Sequence, residues 1–394
     1  MKKNIAILIP KLSGGGAERV ASNLSIYLPE SKYNKFIILF DENDIDYPYN
    51  GKIISLESPV SHNMFGKIVN FIKRIYKLKQ IKKKYNIDTT ISFLTRANLI
   101  NILSSKDDQS IISVRNYTSK DLKGVAGSIY KILIKLLYNK ANKIVAVSKV
   151  IKQDLIKNYN IRREKVTVIY NPYDIEKIQS SANINIEEKF KPIFNSPVII
   201  NVGRLDKQKG QWHLIRAFKE IKGKVPDAKL VILGEGPLKE YLEGLVDDYN
   251  LQDDVFFLGF QKNPFQFISN AKVFAFPSLY EGFPNALVEA MACGTPVVSA
   301  DCKSGPREIL APDTDTAQEV SNLVWSKYGT LIPVCEEQLY TSSTEITSNE
   351  SILAESILEL IKDEEKNKKY SNLSIERAKE FTFVNIINEW DEIL

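Results

Sequence analysis

Short apolar runs that end in turns alternate with longer helical patterns along most of this chain, and the alternation starts afresh near residue 198. No other feature constrains the fold as strongly. A strand that is apolar along its whole length needs cover on both faces, which a parallel sheet flanked by helices supplies. In the first half the strand-like runs are residues 5–9, 36–40, 53–56, 89–93, 110–114 and 144–147, with helical patterns at 17–28, 67–84 and 128–139. In the second half, residues 198–202, 229–233, 255–258, 273–276 and 296–300 each precede a turn and usually a helix. Residues 171–197, which hold three of the sixteen prolines and many polar side chains, read as a linker. The expected architecture is therefore α/β, with two doubly wound, Rossmann-like domains at 1–175 and 197–378. A linker at 176–196 joins them, and a terminal helix at 379–394 returns to the first. Two such halves imply a cleft, and ligands of such sheets bind beyond the carboxyl ends of the strands.

Composition narrows the classes. At 394 residues the chain exceeds one ordinary core and fits two domains. Its 44% hydrophobic and 26% charged residues exclude disordered and fibrous chains. No apolar run is long enough to span a bilayer. The apolar stretch from Ile5 to Ile9 is too short for a secretory leader, and Ser13-Gly14-Gly15-Gly16 follows closely, so it reads as a first strand. Three cysteines, Cys293, Cys302 and Cys335, without metal-ligand spacing, suit a reducing cytoplasm. A net charge of +5 does not by itself indicate nucleic acid.

Three loops after strands carry chemistry. In the first, Gly14, Gly15 and Gly16 open a helix, so backbone N–H groups and the helix amino end can approach a phosphate. A dinucleotide-binding fingerprint would need a third glycine where Arg19 stands, and that side chain is expected to obstruct helix–sheet packing. A plain strand-to-helix turn is the alternative. The second loop runs from Gly203 to Gly210. There Arg204 offers a two-pronged hydrogen-bond donor for phosphate oxygens, and Lys209 a mobile charge. In the third, Glu281 lies in a tight loop bounded by Pro277, Gly282 and Pro284, and Glu289 lies just over one turn into the helix that starts near Asn285. Two carboxylates so placed can each accept a pair of hydroxyls, from a ribose and from a sugar. The free N–H groups at Asn285, Ala286 and Leu287 can meet a diphosphate between them.

The spacing of Glu281 and Glu289 in EGFPNALVEAMACGTPVV resembles the family 4 retaining glycosyltransferases, which have the two-Rossmann GT-B fold. The resemblance covers nearly the whole chain: GGGAERV, the AVSK segment at Ala146–Lys149, Asn171-Pro172, and GRLDKQKG. It continues through Gly234-Glu235-Gly236-Pro237, Leu258-Gly259-Phe260 and Gly305-Pro306-Arg307-Glu308-Ile309. It implies that Glu289 chelates the donor ribose hydroxyls and that Glu281 holds the region of the donor sugar's 3-hydroxyl. Arg204 and Lys209 would neutralise the leaving diphosphate, and Gly15 and Gly16 would close over it. Gly203, Gly234 and Phe260 belong to the donor-binding segments, the last two lining the base pocket. The donor implied is a UDP-sugar, and the segment beside Arg307 is most like members that add N-acetylhexosamine. The acceptor implied is a lipid-linked glycan in capsule, exopolysaccharide or O-antigen assembly.

With Arg204 and Lys209 carrying the charge, no metal is expected. The Asp-x-Asp pairs at Asp44–Asp46 and Asp313–Asp315 do not directly end a strand and read as solvated turns. Only two histidines occur, His62 and His213, and neither stands where many family members keep a cleft histidine; surface or helix-packing roles are expected. A front-face retaining reaction needs no side-chain base, so Arg96, Arg115 and Asn116, in loops after first-domain strands, become acceptor-side candidates. The stretch from Lys67 to Lys84 holds eight lysines or arginines and no acid, with apolar residues at helical spacing. It reads either as a sheet-covering helix with its lysines in water or as a dock on anionic lipid at the inner face of the membrane. Two further classes stay open, a nucleotide-sugar epimerase of the same fold and a non-catalytic nucleotide-sugar binder.

Overall fold

The computed structural model describes residues 1–42, 45–58, 64–122 and 124–394. They form two compact units: Met1–Pro172 together with Phe383–Leu394, and Tyr173–Thr382.

The first unit is built on strands β1 (Lys3–Ile9), β2 (Tyr33–Leu39), β3 (Lys52–Ser55), β4 (Thr89–Phe93), β5 (Gln109–Val114), β6 (Lys143–Ala146) and β7 (Val166–Val168). Their order is β3-β2-β1-β4-β5-β6-β7, and every pair is parallel. β1 shows why its residues make a central strand. Ile5, Ile7 and Ile9 pack with Val20 and Leu24 of the helix Gly16–Tyr27 and with Trp390, while Ala6 and Leu8 pack on the other face with Leu78, Ala97 and Ile100. Burial on two faces stabilises each such isoleucine or leucine by about 2 kcal/mol, more than the strand preference of any single residue. The helix Phe383–Ile393 belongs to this unit. The Trp390 ring lies tilted against Phe93 with centroids 6.2 Å apart, and the Tyr33 hydroxyl donates to Asp391 at 2.6 Å.

The second unit holds β8 (Val198–Val202), β9 (Lys229–Leu233), β10 (Val255–Gly259), β11 (Val273–Phe276), β12 (Val297–Ala300), β13 (Val324–Trp325) and β14 (Thr330–Ile332). Their order is β10-β9-β8-β11-β12-β14-β13, parallel except for the β13–β14 pair. Counted from its own first strand, the parallel part repeats the order of the first unit. Strand order reverses between β1 and β4 in one sheet and between β8 and β11 in the other. These are the points where open α/β sheets bind ligands.

All eleven strand-like runs are strands. β7, β13 and β14 were not anticipated, because two or three residues are too few to show a period. The segment 176–196, expected as a linker, folds as part of the second unit. It contains most of the helix Ile175–Ala182, capped by Asp174, whose side chain accepts from the Lys177 amide. Ile175, Ile178 and Ala182 form a buried face spaced by three and four residues, and Phe190 packs edge-on to Phe267. The polar composition of the segment reflects only its outer side.

Candidate active site

In the second unit the loop after β8 is held by backbone bonds to the neighbouring strand ends. The Gly203 amide donates to the Leu233 carbonyl at 3.0 Å, and the Gly234 amide to that of Gly259 at 2.8 Å. Gly234 has φ +136°, and a Cβ there would lie 2.1 Å from the Gly203 carbonyl oxygen, so only glycine lets the ends of β8 and β9 approach this closely. Gly210 closes the loop with φ +65°, where a Cβ would meet the Pro277 carbonyl at 2.5 Å. The Gln208 carbonyl accepts from the Leu279 amide at 2.8 Å, and the Gln208 carboxamide donates to the Tyr280 carbonyl at 2.9 Å. The loops after β8 and β11 are thereby joined on both sides of the switch point.

Their charged side chains meet directly. Lys209 Nζ lies 2.6 Å from Glu281 Oε1, both side chains are largely buried, and the ammonium also sits 5.5 Å from the centre of the Phe276 ring. The stem of Lys209 lies over Gly203, 3.4 Å from where a Cβ would stand. Arg204 is different: its side chain is 69% exposed and pairs with Asp206. Glu281 is fixed through its backbone, with its amide donating to the Lys303 carbonyl at 2.8 Å and its carbonyl accepting from the Ser304 amide at 3.0 Å.

The helix Asn285–Ala292 starts next to this pair in sequence, with no side-chain cap and no acid in its first turn. Its amino end therefore keeps its positive potential. Ala286 and Leu287 lie in this first turn, and the Leu287 amide donates to the Pro284 carbonyl at 3.2 Å. The Asn285 carboxamide oxygen accepts from the Tyr173 hydroxyl at 2.7 Å. Glu289 is buried on the same helix. Phe260, expected in the base pocket, projects from the end of β10 with 76% of its surface exposed.

In the first unit, Gly15 precedes the helix Gly16–Tyr27, and the glycine loop is occupied by an acid. Glu18 is buried with its carboxylate folded back onto Gly15, 2.1 Å from where a Cβ would stand. Burial pushes its carboxyl above the ordinary range, and Lys11 and Arg115 partly offset this. Arg19, expected to obstruct the helix–sheet interface, is exposed instead and lies 5.9 Å from the Tyr47 ring centre. Arg115 is buried after β5, bonded to the Asn171 carboxamide and 5.9 Å from the Phe93 ring centre. Arg115 and Asn116 line a small cavity of about 30 Å³ with Thr95 and Ser113. Arg96 stands on the helix Thr95–Ser104, its Nε donating to the Tyr130 hydroxyl at 3.0 Å.

His213 takes a packing role. Its Nδ1 lies 2.7 Å from Glu350 Oε1 and its Nε2 2.9 Å from the Glu336 carbonyl oxygen, and Arg216 bonds the same carboxylate at 2.8 Å. Burial raises the Glu350 carboxyl, but hydrogen bonds from His213, Arg216 and the Thr347 amide outweigh it and hold the group down at about 2. His62 and Asp44 lie outside the described residues. Asp313 pairs with Lys327 at 3.2 Å, and Asp315 accepts from the Ala317 amide at 2.9 Å, as in a solvated turn. Sequence reasoning missed Glu18 and Tyr173. Glu18 lies inside the quoted GGGAERV motif, while Tyr173 follows Asn171-Pro172 and had no motif to mark it.

Comparisons with known proteins bear on the family and the fold. Residues 14–177 match the model described as Glycosyltransferase Family 4, and residues 183–319 the model described as Glycosyl transferases group 1. The chain is 37% identical over 377 residues to an uncharacterized glycosyltransferase of Methanocaldococcus jannaschii, covering 92% of each. It is 32% identical over 395 residues, 98% of each, to the Campylobacter jejuni N-acetylgalactosamine-N,N'-diacetylbacillosaminyl-diphospho-undecaprenol 4-alpha-N-acetylgalactosaminyltransferase. Among solved structures, sucrose-phosphate synthase from Thermosynechococcus elongatus superimposes with TM-score 0.77 at 18% identity, covering 100% of this chain and 98% of that one. Anabaena HepE in complex with UDP and glucose does so with TM-score 0.74 at 19% identity, covering 99% of each. At such identities the superpositions speak to the fold, and the relatives at 37% and 32% settle the family. The chain belongs to the family 4 glycosyltransferases, with the GT-B fold.

Proposed function

We propose that the protein transfers a hexose or N-acetylhexosamine from a UDP-sugar, with retention of anomeric configuration, to a lipid-linked glycan in capsule, exopolysaccharide or O-antigen assembly. The observation that carries this reading is the Lys209–Glu281 pair at 2.6 Å, set at the ends of β8 and β11 in the loop that leads into the uncapped helix Asn285–Ala292. Breaking the anomeric bond leaves negative charge on the β-phosphate. Lys209, Arg204 and the helix amino end supply fixed positive potential for it. Removing one such group typically costs about 3 kcal/mol of barrier. Glu281 orients Lys209 through one carboxylate oxygen and meets sugar hydroxyls, and Glu289 takes the ribose hydroxyls. The departing phosphate oxygen accepts the proton of the acceptor hydroxyl, so the reaction needs no side-chain base and no metal.

Two relatives support the donor and acceptor classes. HepE structures contain UDP and glucose, and the Campylobacter enzyme's name specifies a diphospho-undecaprenol-linked acceptor. The test is incubation with a panel of UDP-sugars and an undecaprenyl-diphosphate-linked glycan, following UDP release and the anomeric configuration of the product. Acceptor-dependent release that survives EDTA is expected. Epimerised donor without acceptor, or binding without turnover, would overturn the reading. Activity lost to EDTA and restored by manganese would overturn its metal-free part.

A further inference from the structure

The helix Gly124–Leu137 carries an apolar stripe on its outer side. Val125, Ile129, Ile132 and Leu136 are 81%, 45%, 59% and 65% exposed, and their spacing of four, three and four residues puts them on one face. The side chain of Ile134, by contrast, is buried. The helix Met64–Lys84 repeats the pattern. Phe71, Ile75, Leu78 and Ile81 pack inward, while Ile68, Ile72 and Tyr76 face solvent. Lys79 and Lys83 continue that outer face by helical spacing and are exposed. The sequence leaves two readings of this helix, a cover for the sheet or a dock on anionic lipid. The structure divides its apolar positions between two faces.

Both helices pack against the helix Thr95–Ser104, and Arg96 joins it to Tyr130 of the second. Residues 67–84, 95–104 and 124–140 together hold twelve lysines or arginines and no acid; Arg74 and Lys82 are buried, Lys82 against Asp108, and eight of the others are exposed. Apolar stripes of this extent on a soluble face mark a contact surface. Glu57 pairs with Lys77 at 2.7 Å, and the excess of exposed positive charge that remains selects the occupant. A second copy of the same face would oppose like charges, whereas anionic headgroups complement them. Among the described residues no helix is long and apolar enough to cross a membrane.

We propose that these two outer faces form one docking surface for an anionic lipid bilayer. Val125, Ile129, Ile132 and Leu136 enter the boundary between headgroups and acyl chains, and Lys79, Lys83 and Lys135 meet the headgroups. The apolar stripe gives depth and the lysines give lipid preference, so the two contributions separate by mutation.

The experiment is co-sedimentation of the full chain with vesicles of phosphatidylcholine alone or mixed with phosphatidylglycerol, without donor or acceptor, so the result stands apart from the transferase reading. The wild type is expected to sediment with the mixed vesicles. Ile132→Asp with Leu136→Asp should lower partitioning by about tenfold or more, and Lys79→Glu with Lys83→Glu should abolish the preference for phosphatidylglycerol. All four positions are exposed, and unchanged thermal unfolding will confirm that each variant folds. Wild-type protein that ignores both vesicles, or aspartate variants that bind as the wild type does, would overturn the proposal. So would a wild-type dimer, in sedimentation equilibrium without vesicles, that these variants dissociate.

Discussion

The two units share one strand order and hold opposite chemistry at the same topological point. After β8 and β11, a lysine and a glutamate meet across joined loops, each partly neutralising the other. After β1, a glycine turn encloses Glu18, a buried acid whose ionised form is disfavoured by its surroundings. The fold therefore fixes where a ligand site lies and leaves open what the site attracts. The second unit presents a poised cation beside an uncapped helix. The first presents a buried arginine, Arg115, near a small cavity, with an acid close by.

The sharpest way to break this contrast is to remove the poised cation. Lys209→Met should lower kcat by a hundredfold to a thousandfold, on the order of 3–4 kcal/mol of barrier, and should also lower thermal stability, because the largely buried Glu281 carboxylate loses its cation. A loss under threefold, measured as acceptor-dependent UDP release, would move the chemistry away from the second unit.

Next in size is a purely structural effect in the second unit. Glu350 is fully enclosed with Arg216 and His213, and Glu350→Gln should cost about 3 kcal/mol of stability at neutral pH, because two buried donors lose their anion. The sign with pH is fixed by direction: the folded carboxyl titrates at about 2, below its ordinary 4.5. Its stabilisation is complete above about 4.5 and disappears as pH falls from there towards 2. Urea midpoints across that range should fall more steeply for the wild type than for the variant.

A smaller effect probes the first unit's site. Arg115→Met should raise the acceptor KM by about tenfold while leaving kcat within a few-fold, the signature of lost binding rather than lost transition-state stabilisation. An unchanged acceptor KM would remove Arg115 from the acceptor side. The smallest concerns Glu18. Its carboxyl is pushed up by burial, so the folded state favours the protonated form, and stability rises as pH falls through the folded value. Glu18→Gln should therefore stabilise by about 0.5 kcal/mol at neutral pH, allowing for solvent screening, seen as a slightly higher urea midpoint.

Much of this was legible in the sequence. Eleven strands announced themselves as apolar runs, and the ordered motifs from GGGAERV to the Glu281–Glu289 segment identified the family. Residues 176–196 misled because Pro192 and many polar side chains masked a buried face of Ile178 and Ala182. The helix Met64–Lys84 was legible only as a choice between covering the sheet and facing lipid. Its apolar residues number enough for one face, and only packing revealed that they occupy two. Arg19 seemed to block a helix interface that it does not enter, because on the helix Gly16–Tyr27 the preceding Glu18 is buried while Arg19 faces outward.

What the sequence determined by itself was local: where strands run, where glycines permit tight turns, and which acids and bases follow strand ends. These depend on neighbours a few residues away, and such patterns survive in one dimension. The pairing of Lys209 with Glu281, the enclosure of His213 by Glu350 and the inward turn of Glu18 were decided by tertiary structure alone. In the first two, partners 72 and 137 residues apart meet through sheet order and helix packing, which no local spacing encodes. In the third, burial sets the protonation preference of a residue whose identity alone would read as a surface acid.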